Sequence, residues 1–365
     1  MKEYCKRKGV IPSWKTYFIT AMGAMAQGLF CTLLVGTILN TIGQQFHIPF
    51  LTETFVSIKA GETVIGYTLG GLVSLMVGAG ISVAIGVSLK APPLVLFSLI
   101  PIGFAANALG GAGGPLAVYI VAIIACEGGK LVSKTTKIDI LVTPIITILL
   151  GIGLAYLIAE PIGMAASAVG DAVKWATEQQ PFLMGILVSV IIGIALTLPI
   201  SSAAICAALG LTGLAGGAAV AGCCAQMVGF AVMSFKENRW GGLVAQGIGT
   251  SMLQMPNIVK NPRIWIPPTI ASAITGPIAT CLFKLEMNGD AVASGMGTCG
   301  FVGQIGVYTG WVKDVADGAK EAIVAMDWIG LVLICVVLPA ILSFVFCEIL
   351  RKLGWIRKDD LKLDL

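Results

Sequence analysis

The chain has 365 residues, of which 57% are hydrophobic and only 12% are charged, whereas soluble domains carry about 25% charged residues. Its mean hydropathy of +0.93 leaves too little polar surface for a soluble globule and predicts a chain embedded in a lipid membrane along most of its length. The net charge of +4 lies mostly at the two ends and in short loops, which favours orientation in a membrane over binding to nucleic acid.

The chain opens with the basic segment 1–16, and the apolar run that follows lacks a convincing cleavage site. We therefore interpret that run as the first membrane span and not as a signal peptide. Basic residues before it and in the tail 351–365 place both termini in the cytoplasm by the positive-inside rule. Other basic turns mark the cytoplasmic side, and weakly charged or acidic loops around Glu53/Glu62, 160–180 and 286–290 mark the external side. The cytoplasmic marks are Lys90, Lys130/Lys134/Lys137, Lys236/Arg239 and Lys260/Arg263.

Apolar segments between these marks predict an all-α polytopic membrane protein with about ten transmembrane helices. Two further apolar stretches, 241–258 and 293–310, each begin and end on one side, so both are candidate re-entrant hairpins. The alternative for each is an ordinary tilted span, and the count of crossings could differ by two. The ten predicted crossings are 17–42, 63–88, 93–109, 114–127, 138–160, 181–199, 203–216, 218–235, 264–284 and 323–350.

The composition of the two candidate hairpins differs from that of the other apolar segments. GGLVAQGIGTSMLQMP and ASGMGTCGFVGQIGVYTG combine glycine with Gln, Thr and Ser. Irregular backbone at membrane depth is tolerated only where protein or water satisfies its polar groups. Both stretches therefore favour backbone that lines a cavity.

An internal repeat is indicated within a single membrane-embedded domain, 17–350. Segment 137–145 resembles 263–270, and IPIGFAANALGGAGGP at 100–115 resembles LGLTGLAGGAAVAGCC at 209–224. Both pairs occur in the same order, which predicts a parallel duplication with repeat 1 at about 63–160 and repeat 2 at about 181–284. Transporters commonly bind their substrate between such repeats, beside interrupted helices.

Polar side chains within the apolar segments are few, and most are amides. A buried amide must be hydrogen-bonded, either to a neighbouring helix or to a ligand. For any single amide a bond between helices is the simpler interpretation, but as a set they suit a neutral hydroxylated ligand better than a cation. Glu127, in CEGGK, is either a contact of that ligand or an interfacial residue. The candidate substrate-binding residues are Asn107, Glu127, Gln226, Gln246, Gln254, Asn257 and Gln304.

No catalytic or metal-binding constellation can be assembled from the sequence. The ten cysteines are scattered without a C-x-x-C pair, the single histidine is His47 in a loop, and no P-loop is present. The pattern predicts no catalytic residues, no metal and no cofactor, and it disfavours a hydrolase or a proton pump.

Nearly the whole chain, roughly 15–350, resembles the membrane (IIC) subunits of the bacterial sugar phosphotransferase system, in a divergent branch that includes perfringolysin-regulator-like membrane proteins. The resemblance is carried by IPIGFAANALGGAGGPLAVYI, by LPISSAAICAALGLTGLAGGAAVAGCCAQMVGFA, by GMGTCGFVGQIG and, most distinctively, by SFKENRWGGLVAQGIGTSMLQMPNIVKNPRIWIPPTIASAI.

This resemblance implies a homodimer in the bacterial cytoplasmic membrane, with a sugar bound near the midplane and a transport domain that moves against a dimerisation domain. IIA and IIB phosphotransfer proteins would act in trans, so the chain would be at most the membrane subunit of a protein-phosphohistidine–sugar phosphotransferase. The G-I-T-E-P-type motif of better-known branches has no counterpart here, the nearest context being Glu127 in CEGGK.

Three hypotheses follow from the sequence. The first is a phosphotransferase-type sugar permease coupled to IIB. The second is an uncoupled transporter of another small metabolite, and the third is a membrane sensor that regulates gene expression through a partner captured by the basic loops 130–137 or 236–239.

Overall fold

The computed structural model describes residues 2–61 and 63–363. Glu62, one of the acids used to mark the first external loop, lies outside the described residues, as do Met1 and residues 364–365 of the two terminal segments. The described chain is 78% helical with almost no strand. It divides into two compact units, unit 1 up to Ala165 and unit 2 from Ala166 onward.

Unit 1 begins with the short helix α1, Lys2–Arg7, followed by α2, Lys15–Gln45. The 31 residues of α2 have a mean hydropathy of 1.8 and extend about 46 Å at 1.5 Å per residue, which is longer than a bilayer core. Two stretches of α2, Lys15–Ala21 and Phe30–Leu34, are wound as π-helix. The short helix α3, Pro49–Thr52, follows it.

The sequence predicted a crossing from residue 63, but its first residues form a β-hairpin. Strands β1, Val56–Ala60, and β2, Thr63–Tyr67, pair antiparallel with Ile58 opposite Ile65. Both strands are rich in β-branched residues, which suit extended backbone better than helix, and Gly61 at φ +64 allows the turn. Helical structure resumes in α4, Leu69–Leu75, and α5, Val77–Ser88, which are bent by 51° from one another.

Helices α6, Pro93–Gly110, and α7, Gly114–Val132, pack against each other and correspond to two predicted crossings. The chain breaks between them because Gly111 adopts φ +50, a conformation that non-glycine residues adopt at a cost. Against α5, Gly78 and Gly103 bring the backbones so close that a Cβ on Gly78 would lie 2.0 Å from the Gly103 carbonyl oxygen. Helix α8, Asp139–Thr177, follows with two internal prolines, and the division between the units falls within it.

Unit 2 is built around helix α11, Gly213–Met233, whose most apolar window is 94% buried. Helices α9, Pro181–Thr197, and α14, Ile266–Pro277, pack on it. Small residues allow this contact, because a Cβ on Gly222 of α11 would lie 1.9 Å from the Ser189 carbonyl oxygen of α9. The intervening helix α10, Ser202–Leu209, has only eight residues. It extends about 12 Å and is too short to cross a bilayer by itself.

The stretch after α11 is repeatedly interrupted. Helix α12, Phe235–Val244, continues into a π-helical turn at Ala245–Gly249, and Thr250 is extended. A 3₁₀ turn at Ser251–Gln254 and helix α13, Met255–Lys260, follow. A second 3₁₀ turn, Pro262–Trp265, leads into α14, which continues as a π-helical turn at Ile278–Leu282.

The second predicted hairpin region also lacks continuous helix. Helix α15, Ala291–Ser294, is followed by a turn and by the 3₁₀ residues Cys299–Phe301, and then by α16, Val302–Ala316. Positive φ angles at Gly297, Gly300 and Phe301 reverse the chain there. The last helix, α17, Ala325–Lys352, packs on α11 and α14.

Among the described residues, five helical segments are long and apolar enough to cross a membrane, or six if the bent pair α4–α5 is one span. One of the five, Pro93–Val132, contains both α6 and α7. The predicted count of ten crossings is not confirmed, and neither are the internal repeat and the re-entrant course of the two hairpins.

Candidate functional site

Gln226 is completely buried in α11, and three side chains from other segments reach it. Its Nε2 donates to Thr269 Oγ1 at 3.3 Å, and its Oε1 accepts from Trp265 Nε1 at 3.0 Å and from Thr197 Oγ1 at 3.4 Å. Thr269 follows Trp265 by one helical turn and donates to the Trp265 carbonyl at 2.7 Å. The amide is therefore held in one orientation by several elements of unit 2.

The interrupted stretch contributes to the same place through Ser251. Its hydroxyl lies 2.8 Å from Thr197 Oγ1, and both residues are fully buried. Ser251 begins the 3₁₀ turn that packs on α9 and α11. We name Thr197, Gln226, Ser251, Trp265 and Thr269 the Gln226 cluster. None of its side chains carries a formal charge.

Gln304, near the start of α16, reaches α11 at another position. Its Nε2 donates to Cys224 Sγ at 3.1 Å, and its buried Oε1 has no hydrogen-bond donor among the described residues. Thr298 Oγ1, in the turn before α16, is likewise buried and without a partner in the described structure. Two unsatisfied oxygens at one chain break are unusual, since a buried acceptor without a donor costs about 1–3 kcal/mol.

The two interrupted stretches contact each other. The π-helical turn Ala245–Gly249 packs against Cys299–Phe301 and against α11. Broken helices leave backbone N–H and C=O groups free of the regular ladder. Interrupted backbone from both predicted hairpins therefore meets in unit 2.

Gln246, Gln254 and Asn257 form a separate chain of amides. Gln246 donates to Ser234 Oγ at 2.8 Å, Gln254 Nε2 donates to Gln246 Oε1 at 2.8 Å, and Asn257 Nδ2 donates to Gln254 Oε1 at 2.8 Å. The C-terminal tail accepts further hydrogen bonds from these amides. Gln254 also donates to the Leu361 carbonyl at 3.0 Å, and Asn257 donates to the Lys362 carbonyl at 2.8 Å. We name these three amides the tail-bound amides.

The other two candidate residues lie in unit 1. Asn107 is half-buried in α6, next to Gly114, where a Cβ would come within 2.5 Å of its Oδ1. Glu127 pairs with Lys130 at 3.2 Å one turn along α7. The seven candidates therefore fall into five places, with Gln226, Gln304 and the tail-bound amides in unit 2 and with Asn107 and Glu127 apart in unit 1.

Sequence reasoning missed four members of the Gln226 cluster. Thr197, Ser251 and Thr269 resemble the many hydroxyl residues that bond to their own helix, and Trp265 resembles an interfacial aromatic. The available signal was the i, i+4 spacing of Trp265 and Thr269 within RIWIPPT, which places both on one face of a helix.

Comparisons with known proteins agree with the membrane character of the fold. The family described as "Phosphotransferase system, EIIC" matches residues 19–363, nearly the whole chain. A search of the curated proteins and a search of the solved structures each find no match. The chain therefore belongs to the phosphotransferase system EIIC family, whose members are the sugar-permease component of that system, and it is an integral membrane protein.

Proposed function

We propose that unit 2 binds and translocates a sugar at the two contacting chain breaks, beside Gln226 and Gln304. The observation that carries this proposal is the buried Gln304 Oε1 with no donor among the described residues. A sugar hydroxyl is a donor and an acceptor of the right kind to satisfy it. A permease must release its substrate, so its binding groups need not all be satisfied by fixed protein partners.

The chemistry of the surrounding side chains supports a neutral hydroxylated ligand. The Gln226 cluster contributes amide and hydroxyl groups, and the half-buried Trp265 adds an aromatic surface of the kind that packs against apolar faces of a ligand. A cation would call for carboxylates, and none of these side chains is charged. Membership of the EIIC family supports a sugar as the ligand class.

We further propose that the stretches 241–258 and 293–310 are re-entrant hairpins within a ten-crossing, internally duplicated subunit. Their interrupted helices and their mutual contact support this course, because irregular backbone at membrane depth must line a cavity or be buried in protein. The family relation supports a homodimer in the bacterial cytoplasmic membrane with both termini in the cytoplasm, served by IIA and IIB proteins in trans.

We propose the tail-bound amides as a second sugar-binding position along the pathway. In the present state the carbonyls of Leu361 and Lys362 satisfy Gln254 and Asn257. A sugar carries acceptor oxygens that can replace those carbonyls when the tail moves away. Asn107 and Glu127, in unit 1, stay predicted substrate-binding residues.

The decisive experiment uses the purified full-length protein in proteoliposomes and a panel of radiolabelled hexoses, hexosamines and hexitols. We expect saturable binding of one sugar class, and phosphorylated product inside the vesicles when IIB and its phosphoryl donors are enclosed. Failure to bind any sugar would overturn the proposed site. Uptake that persists without phosphorylation would retain the sugar site and remove the coupling to IIB.

A further inference from the structure

A basic cavity in unit 1 is lined by none of the residues proposed to bind the sugar. It has a volume of about 370 Å³ and lies where α1 meets the C-terminal end of α7. Four cationic residues line it, together with Tyr4 and Ser133, and no carboxylate belongs to the lining. The cations are Arg7, Lys8, Lys130 and Lys134.

The walls of this basic cavity are tied together by hydrogen bonds. Tyr4 Oη donates to the Leu131 carbonyl at 2.7 Å, and Lys8 Nζ donates to the Ser133 carbonyl. Lys130 Nζ donates to the Gly9 carbonyl at 3.2 Å. These bonds satisfy backbone oxygens at the end of α7 and hold the N-terminal segment in place. The cavity is therefore formed before any ligand arrives, which lowers the cost of binding.

Tyr4 and one N–H of Lys8 donate to carbonyls at the end of α7, which explains their positions. Other polar groups of the cavity have no such structural role. The side chains of Arg7 and Lys134 have no hydrogen-bond partner in the described part of the chain. Ser133 is only 5% exposed, and its Oγ also has no partner among the described residues although it lines the cavity. Ser133 lines the cavity, so its hydroxyl is available to donate to an anion.

The nearby carboxylates do not neutralise the cavity. Glu127 pairs with Lys130, which is 3% exposed. Asp139 Oδ1 accepts from the Lys134 backbone N–H and from Thr143 Oγ1, both at 2.6 Å. The four lining cations outnumber these two acids, so the cavity attracts anions.

We propose that this cavity binds a phosphate monoester. Arg7 and Lys134 donate to its peripheral oxygens, and Lys8 donates through an N–H that is not used at the Ser133 carbonyl. Ser133 Oγ donates to an inner oxygen, and the buried Lys130 supplies positive charge. A phosphate monoester carries close to two negative charges and three acceptor oxygens, which fits this set better than a carboxylate does. The headgroup of phosphatidic acid and a soluble phosphate ester share this chemistry.

The test uses full-length protein in nanodiscs and two probes. Glycerol 3-phosphate, added to phosphatidylcholine nanodiscs, is followed by ³¹P saturation-transfer NMR. Phosphatidic acid, mixed into the nanodiscs, is counted as protein-bound lipid by native mass spectrometry. We expect binding of at least one probe, so the two arms distinguish a soluble ester from a lipid headgroup.

The variants are R7Q, K134N and S133A, with K6Q as the matched control. Lys134 has φ +57, and asparagine tolerates this left-handed conformation. Each of R7Q and K134N should weaken binding about tenfold, the effect of one hydrogen bond to a charged group, and S133A should weaken it less. Lys6 is exposed on the same helix and does not line the cavity, so K6Q should bind as wild type does.

Absence of binding in both arms would overturn the proposal, and so would equal losses in K6Q and R7Q, because the attraction would then be general electrostatics. Neither result bears on the sugar site, which is measured with a different ligand and lies in unit 2. Circular dichroism and size-exclusion profiles equal to those of wild type show that each variant is folded.

Discussion

Gln226 lies in α11 and Gln304 donates to Cys224 of the same helix, but the hydrogen bonding of the two amides differs. The amide of Gln226 has partners on both its nitrogen and its oxygen. Gln304 has one weak sulfur acceptor and an oxygen without a donor in the described structure. An amide that only joins helices should have hydrogen-bond partners for both its nitrogen and its oxygen, because an unsatisfied buried group lowers stability. Gln304 is therefore the side chain for which a ligand explains most.

The first prediction is that Gln304→Met separates stability from function. Met has a similar shape and removes the unsatisfied oxygen, so the thermal midpoint should stay the same or rise, by an amount equivalent to about 1 kcal/mol. Sugar binding should weaken about tenfold or more, measured by equilibrium binding in nanodiscs. Gln44→Met, at an exposed position of unit 1, is the control. A variant that loses stability and keeps its affinity for sugar would show that Gln304 is structural.

A second prediction concerns the glycines of α11. Gly222→Ala places a Cβ 1.9 Å from the Ser189 carbonyl oxygen, and the backbones of α9 and α11 would have to separate. Overpacking of this kind costs about 1–3 kcal/mol or more. Gly153→Ala is the control, because Gly153 lies within α8 and has no heavy atom within 4 Å of its Cβ position. We expect a lower thermal midpoint for Gly222→Ala only; equal midpoints would contradict this account of the packing.

At the scale of elements, the interrupted stretch 235–265 depends on the C-terminal tail. Leu361 is fully buried and Ile356 is 2% exposed. The tail also exchanges two bonds with Asn238, which donates to the Leu361 carbonyl at 2.7 Å and accepts from the Leu363 N–H at 2.8 Å. Segments with irregular backbone lack a ladder of their own and need such partners. The charged C-terminal tail is thus part of the packing of unit 2.

The third prediction is that Leu361→Ala loosens this stretch. Removing a fully buried Leu side chain costs about 2–5 kcal/mol where the site does not collapse. Hydrogen–deuterium exchange should rise in residues 238–261 and stay unchanged in α6 and α7. Lys358→Ala, at an exposed tail position, is the control. Unchanged exchange in 238–261 would mean that the tail is not needed to hold the tail-bound amides.

The ion pair between Arg351 and Glu237 fixes the end of α17 to α12. Its atoms lie 2.7 Å apart and the side chains are 17% and 4% exposed. Arg351 also donates to the Met233 carbonyl at 3.2 Å at the end of α11. Removing one partner of a pair this buried leaves a charge without compensation, which costs more than an exposed pair contributes.

At the scale of the whole molecule, the placement of charge and of apolar surface is that of a membrane protein. Large apolar side chains such as Leu149, 70% exposed, and Tyr156, 77% exposed, lie on α8. In water such a surface would aggregate, whereas in lipid it is solvated. The basic termini predict the orientation through the positive-inside rule.

The fourth prediction tests that orientation. Green fluorescent protein fused after residue 365 should be fluorescent in a bacterial host, and alkaline phosphatase fused at the same point should be inactive, because both report a cytoplasmic C-terminus. Phosphatase fused in the loop near Glu53 is the opposite control and should be active. An active C-terminal phosphatase would contradict both the predicted orientation and the proposed access of IIB.

The membrane class, the helical fold and the family follow from local information in the sequence. Apolar runs, basic turns and recognisable motifs are properties of neighbouring residues, and bilayer thickness converts them directly into helices. The limits of α6 could be predicted to within one residue for the same reason, whereas α7 continues five residues beyond the predicted crossing 114–127, to Val132. The hairpin at 56–67 could not, because short apolar runs with β-branched residues also occur in membrane-spanning helices and do not by themselves separate a strand from a span.

Only the tertiary structure decided which polar residues meet. Gln226 was singled out by its position in an apolar run, but its partners Thr197, Trp265 and Thr269 come from other segments. Ser251, which bonds to Thr197, comes from a further one, and no local pattern encodes contacts between distant segments. The same holds for Leu361 and Lys362 at the tail-bound amides, and for the basic cavity formed by Arg7 and Lys134. Hydrophobicity is a property of a segment, whereas a site is a property of the distances between segments, which the packed fold alone sets.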